Sequence, residues 1–295
     1  MAAARGLIER ADALLALKRP GPALEYLHRA LQSEPDNPYV HCAIARAQLE
    51  LEDFPAALRA AEAAVATGPL EEWGHRLRAI ALTRLGRPHE AVESARAAVR
   101  LAPEWSMTHA TLARAWLAAG NHDGAEYAAR RAVELDPDDA DTRASLADVL
   151  AERRETLPEA LAQYRMALAI DPENTVVLNN LAIARLSAHE NDRGATRHFE
   201  QVLMLDPTDQ VARRNLLRSG DAGDVYACRR VALGLLVPAA ILLFVEPLYA
   251  LYWLALPALL EVARAILLRR LSPVVRQMVL DDQRARRFKR GRRRT

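Results

Sequence analysis

The chain has 295 residues, a formal net charge of +2 and only 5% aromatic residues, and its many alanines and leucines favour helices. Its two cysteines, Cys42 and Cys228, are too few and too far apart for a disulfide framework or a cysteine-based metal cluster. The charge is divided unevenly, because residues 1–228 carry a net charge of −8 and residues 229–295 carry +10. The two parts are therefore expected to meet different surroundings.

Proline recurs at a nearly constant interval along most of the chain. Six prolines follow one another at spacings of 34 or 35 residues: Pro35, Pro69, Pro103, Pro137, Pro172 and Pro207. Because proline cannot continue the hydrogen bonding of a helix, each one is expected to follow the end of a helix. A fixed period of this length predicts an array of repeated units.

Small residues recur with the same period at three further sets of positions. The sets are Ala11, Ala45, Ala79, Ala113, Ala147 and Ala182; Ala23, Ala57, Ala91, Ala125, Ala160 and Ala195; and Ala30, Ala64, Ala98, Ala132 and Ala167, with Val202 in the sixth unit. Small side chains at fixed positions let two helices approach closely. Gly86 and Gly120 mark a short turn between those helices, where glycine supplies a positive φ. Each unit is thus predicted to be a helical hairpin, and one extra residue near the turn predicts looser turns in units five and six.

This pattern resembles the tetratricopeptide repeat family, whose unit has 34 residues, small residues at its internal contacts and a closing proline. The resemblance covers about residues 4–207 and implies an all-α solenoid of six helical-hairpin repeats within residues 1–208. Residues 209–217 then predict an amphipathic helix that caps the last repeat. Residues 219–224 predict a flexible polar linker, so that cap and linker together occupy residues 209–225.

The resemblance also implies a binding groove, because in the family the first helix of each unit lines a groove that receives a peptide or a helix. The groove residues implied here include Tyr39, Arg46, Trp73, Arg76, Arg114, Asn179 and Asn180. Exposed arginines flanked by Tyr39 and Trp73 would suit a protein or peptide partner that is acidic and partly apolar. The alternatives are that the arginines are ordinary surface residues and that the asparagines cap or brace a neighbouring helix.

Two apolar runs follow the linker. Residues 231–245 carry no charge, and residues 248–260 form a second run after Glu246 and Pro247. One helix through both runs would be about 45 Å long, beyond a hydrocarbon core of ~30 Å. The sequence therefore predicts a membrane hairpin within residues 226–270, and its membrane residues include Val231, Leu243, Leu248, Trp253 and Leu260. A two-pass crossing, a re-entrant hairpin and an apolar hairpin packed on protein are the alternatives.

Arginines flank both outer ends of these runs, at residues 229–230 and 269–270. The positive-inside tendency then predicts a membrane protein with both termini and the repeat domain in the cytoplasm. Residues 271–295 form a basic tail, which would attract anionic lipid headgroups. Non-specific contact with nucleic acid is the less favoured alternative.

The sequence contains no motif for catalysis. A glycine-rich phosphate loop, HExxH, paired CxxC and a nucleophile elbow do not occur, and the eight histidines are dispersed. The chain is therefore not expected to be an enzyme or to hold a cofactor or metal. The predicted function is a membrane-tethered scaffold for protein–protein interaction. The alternative is a soluble regulatory or assembly protein whose apolar hairpin mediates oligomerisation.

Overall fold

The structure is a computed structural model that describes residues 2–188 and 193–218, together with the single residues 262, 265 and 277. The described residues form helices and no strands. The chain divides into two compact units, and the boundary in the sequence lies between Ile170 and Asp171. The first unit contains α1 (Ala2–Ala16), α2 (Pro20–Ser33), α3 (Pro38–Glu50), α4 (Phe54–Thr67), α5 (Glu72–Arg84), α6 (Pro88–Leu101), α7 (Ser106–Ala118), α8 (His122–Leu135), α9 (Ala140–Ala151) and α10 (Leu157–Ile170). In the second unit, the described helices are α11 (Thr175–Ala188), α12 (Arg193–Leu205) and α13 (Gln210–Arg218).

Consecutive helices of the first unit pack as hairpins, as the repeat predicts. The periodic alanines lie where the helices meet, and every one from Ala11 to Ala167 is at most 1% exposed. Each periodic proline lies two residues beyond the end of a helix, for example Pro69 after Thr67 and Pro103 after Leu101. Close packing of small side chains at each crossing therefore explains the constant spacing within this chain.

The turn inside the first four hairpins uses the left-handed backbone conformation at one fixed position. Gly86 and Gly120 have φ values of 72° and 76°, as expected from their sequence. Lys18 and Glu52 occupy the same position in the first two hairpins with φ values of 53° and 60°. In each case the next residue donates its N–H to a carbonyl five residues back, such as Arg87 to Leu82 at 2.9 Å, which closes the helix end.

The fifth hairpin has a longer turn, which agrees with its extra residue. Residues 152–156 link α9 to α10, and the Thr156 hydroxyl donates to the carbonyl oxygen of Leu150 at 2.6 Å. The corresponding turn of the sixth hairpin, residues 189–192, lies outside the described residues.

The second unit packs α11, α12 and α13 around its own apolar centre. Phe199 and Val202 on α12 and Ala212 and Leu216 on α13 are fully buried. Helix α13, in the segment where the sequence predicts a capping helix, contacts both α11 and α12. The predicted linker after it lies outside the described residues.

Candidate functional site

Two aromatic rings from neighbouring repeats meet on the first helices of the second and third hairpins. Tyr39 lies in the first turn of α3 and Trp73 in the first turn of α5, with ring centroids 5.3 Å apart and planes at 60°. The Tyr39 hydroxyl donates to Asp12 Oδ2 on α1 at 2.9 Å. Burial and this hydrogen bond raise the pKa of Tyr39 to about 12, so the hydroxyl stays protonated. Tyr39 is nevertheless 43% exposed and offers a ring face to a partner.

Arg76 continues this surface from α5 towards α7. Its guanidinium carbon lies 4.3 Å from the ring centroid of Trp105, the residue that precedes α7. Its Nε lies 3.2 Å from Glu72 Oε2, yet neither atom makes a well-formed hydrogen bond. The side chain is only 11% exposed, so the prediction that all three groove arginines are exposed is wrong for Arg76. Arg76 is half-buried because it lies between Glu72 and the ring of Trp105.

Burial shifts the pKa values of both Arg76 and Glu72. It lowers the pKa of the Arg76 guanidinium, and Glu72 opposes that effect. It also raises the pKa of Glu72, and Arg76 opposes that effect in turn. Each group therefore stabilises the charge of the other in a partly desolvated position.

Arg46 and Arg114 are exposed, unlike Arg76. Arg46 pairs with Glu50 on its own helix at 3.2 Å. Arg114 on α7 forms no ion pair with any carboxylate in the described part of the chain, and it lies near enough to Arg76 to affect the pKa of that residue. Arg46 and Arg114 occupy equivalent repeat positions, whereas Arg76 does not.

We call the surface formed by Tyr39, Trp73, Arg76, Trp105 and Arg114 the aromatic–arginine groove. Four of these residues were predicted from the sequence. Trp105 was not, because the predicted groove positions lie within helices and Trp105 precedes one. The chain has only four tryptophans, and one that directly precedes a predicted helix is the sequence signal that points to Trp105.

Cys42 lies next to this groove, but its thiol is not reactive. Its side chain is 2% exposed, and burial followed by the charges of Glu72 and Glu71 raises its pKa to about 12. Since the thiolate is the nucleophile, this thiol is not activated for catalysis. The part of the chain that the structure describes also contains no group of three His, Cys, Asp or Glu side chains placed to hold a metal.

Asn179 and Asn180 lie on α11 in the second unit. Asn179 is 6% exposed, and its Oδ1 has no hydrogen-bond partner within the described residues. Asn180 is half-buried. Holding a ligand backbone and bracing a helix thus remain two hypotheses for these side chains.

The predicted membrane residues Val231, Leu243, Leu248, Trp253 and Leu260 lie outside the described residues. Among the residues that are described, the structure contains no helix that is both long and apolar enough to cross a bilayer.

Comparison with protein-family profiles matches two segments, residues 14–80 and 110–175, to the tetratricopeptide repeat. A solved thermophilic TPR protein of Thermus thermophilus is 28% identical, with a TM-score of 0.58, and the match covers 62% of this chain and 100% of that one. Comparison with curated protein sequences found no match. Tetratricopeptide repeats are thus identified by sequence profiles and by a similar structure.

Two more distant structures share the fold. The pilF protein of Pseudomonas aeruginosa is 19% identical, with 74% of this chain and 98% of that chain covered and a TM-score of 0.52. A chain of the APC/C hetero-tetramer Cut9-Hcn1 is 16% identical, with 88% of this chain and 48% of that chain covered and a TM-score of 0.60. At these identities the likeness concerns the helical architecture alone.

Proposed function

We propose that this protein is a non-enzymatic scaffold whose aromatic–arginine groove binds a peptide or helix of a partner protein. The observation that carries the proposal is the row of aromatic and guanidinium groups along α3, α5 and the start of α7, in which Tyr39 contacts Trp73 and Arg76 contacts Trp105. Tetratricopeptide repeats in this chain agree with a role in protein–protein interaction. A rigid array of packed helices would hold such a row in place before the partner arrives, which lowers the entropy cost of binding.

The partner is expected to be acidic at one point and apolar at another. Asp12 accepts from Tyr39, Glu72 pairs with Arg76, and Glu50 pairs with Arg46, so these carboxylates are already engaged. Arg114 is the exposed cation of the groove, and a partner carboxylate there would gain a charge-assisted hydrogen bond. Tyr39 and Trp105 are each more than 40% exposed and would cover apolar side chains of the partner.

A peptide-display selection on the full chain would test this proposal. The selected peptides should combine Asp or Glu with an apolar residue, and their affinity should fall by about tenfold or more in Arg114→Glu and in Trp105→Ala. Arg59→Glu is the matched control, because Arg59 is exposed on α4 outside the groove. Peptides that bind all variants equally well would show that the groove is not the binding surface.

We further propose that the C-terminal apolar runs tether the scaffold to a membrane, with the repeat domain in the cytoplasm. The support comes from the sequence: residues 231–245 and 248–260 are uncharged, and arginines flank them on both sides. Tethering would raise the effective concentration of a bound partner near the membrane without any new contact.

Membrane fractionation of the full chain, compared with a version ending at Gly223, tests the tether. If only the full chain pellets, resists high salt and is released by detergent, the apolar runs are integral to the membrane. A full chain that stays in the supernatant, or that salt alone releases, would contradict the tether and favour a soluble assembly protein that uses its apolar hairpin to oligomerise.

A further inference from the structure

A cleft lined mostly by polar and charged residues lies on the side of α5 that faces away from the groove. It has a volume of about 430 Å³, within the ~300–1,000 Å³ typical of ligand sites, and opens between α5 and α6. His75 and Arg78 line it from α5, while Ser94 and Arg100 line it from α6. His75 lies two positions after the groove residue Trp73, and Arg78 lies two positions after the groove residue Arg76. Two positions correspond to a rotation of roughly 200° around a helix, so the cleft residues and the groove residues lie on different faces of α5.

The carboxylates at this cleft are already engaged by arginines beside them. Glu90 accepts two hydrogen bonds from Arg87, at 2.7 and 2.6 Å, which lower the pKa of that carboxyl, with a smaller contribution from the charge of Arg78. Glu93 accepts from Arg96 at 3.2 Å. Both carboxylates are therefore hydrogen-bonded to arginines other than Arg78 and Arg100.

The remaining donors lack partners within the described residues. Arg78 is half-buried, forms no ion pair there, and its Nε is enclosed without a hydrogen bond. Arg100 is exposed and also unpaired, and the hydroxyl of Ser94 makes no hydrogen bond, although that residue is only 4% exposed. A partly buried guanidinium that has no hydrogen-bonded anion is costly, so this arrangement favours a bound anion.

We propose that this cleft binds a phosphate group through Arg78, Arg100 and Ser94. Two guanidinium groups and a hydroxyl present more donors than the two oxygens of a carboxylate can accept, whereas a phosphate offers three or four oxygens. Arginine also matches the geometry of phosphate with paired N–H donors. The inference is independent of the partner groove, because it concerns other residues on another face of α5.

The test is calorimetric titration of the full chain with inorganic phosphate, phosphoserine and acetate at constant ionic strength. Saturable binding of a phosphate compound is expected, with acetate at least about tenfold weaker. Arg78→Gln and Arg100→Gln should each weaken that binding about tenfold or more. The matched control Arg59→Gln, an exposed arginine of α4, should bind like the unaltered chain.

Arg100→Gln keeps the test decisive if Arg78→Gln does not fold, because Arg100 is exposed. Tighter binding of phosphoserine would assign a phosphate monoester to the cleft, and tighter binding of inorganic phosphate would assign the free ion; both support the site. The proposal is overturned if neither phosphate compound binds saturably, if acetate binds as tightly, or if Arg100→Gln and Arg59→Gln bind alike.

Discussion

At the scale of single residues, one hydrogen bond recurs through the first unit. The Nε2 atoms of His41, His75 and His109 lie 2.8, 3.2 and 2.8 Å from the carbonyl oxygens of the prolines six residues earlier. Arg143 takes the same position in the next repeat and donates from Nε to Pro137 at 2.7 Å. The bond ties the start of each first helix to the turn before it. Three histidines that share a repeat phase are therefore structural.

Replacing His109 with Ala should lower the stability of the chain by about 0.5–1.5 kcal/mol, because the Pro103 carbonyl loses its donor. His109→Arg should restore most of the loss, since Arg143 makes this bond in the next repeat. Urea unfolding followed by circular dichroism would measure the midpoints.

His28→Ala is the control for this prediction, because His28 is exposed on α2 and makes no hydrogen bond within the described part of the chain. An equal loss in His28→Ala, or no recovery in His109→Arg, would contradict the structural role of the bond.

At the scale of the helical hairpin, the position in the turn determines the left-handed backbone conformation more strongly than the residue type does. Gly86 and Gly120 adopt the left-handed conformation without cost, while Lys18 and Glu52 adopt it at about 1–2 kcal/mol each. The Glu52 side chain compensates little, since its contact with Arg84 at 3.9 Å is exposed on both sides. The packing of the hairpin therefore imposes this conformation on residues that disfavour it.

Replacing glycine with alanine is expected to lower the stability of the chain at one position and to raise it at another. Gly120→Ala should destabilise the chain by about 1 kcal/mol, because alanine disfavours a φ of 76°. Gly21→Ala should stabilise it by about 0.5–1 kcal/mol, because Gly21 lies within α2. An added Cβ meets nothing within 4 Å at either site, so packing does not contribute. Thermal unfolding midpoints that shift in the same direction for both variants would contradict this account.

At the scale of the whole molecule, each helix packs mainly against its neighbours in sequence. In the first unit the contacts join adjacent helices and successive first helices, such as α5 with α7. The second unit depends on α13, whose Ala212 and Leu216 are fully buried. An array whose described helices contact mainly the neighbouring repeats transmits a local change over a short distance.

Leu216→Ala should therefore destabilise the second unit and leave the stability of the first helices of the chain unchanged. The lost packing is expected to cost about 2–5 kcal/mol locally. Hydrogen exchange of the full chain should accelerate in α11, α12 and α13 and remain unchanged in α1 to α4.

Arg214→Ala, at an exposed position of the same helix, should change neither region and serves as the control. Faster exchange throughout the chain in Leu216→Ala would indicate global cooperativity and contradict the nearest-neighbour account.

The sequence by itself determined the repeat, the hairpins and the residues at their crossings. It did so because these features depend on local rules: proline ends helices, glycine favours a positive φ, and small residues permit close approach. The left-handed turns at Lys18 and Glu52 escaped prediction, because the neighbouring helices and not the residue type impose that conformation.

Only the tertiary structure decided which groove side chains are free to bind. The sequence predicts Arg46, Arg76 and Arg114 alike as groove residues, yet Arg76 lies against Trp105 and beside Glu72. Arg46 pairs with Glu50, so of these three only Arg114 is exposed and has no ion pair within the described residues. The same holds for the cleft, where Arg78 and Arg100 come from two helices of one hairpin. Burial and pairing depend on how each helix is rotated against its neighbours, which is a property of the packed array and not of any single repeat.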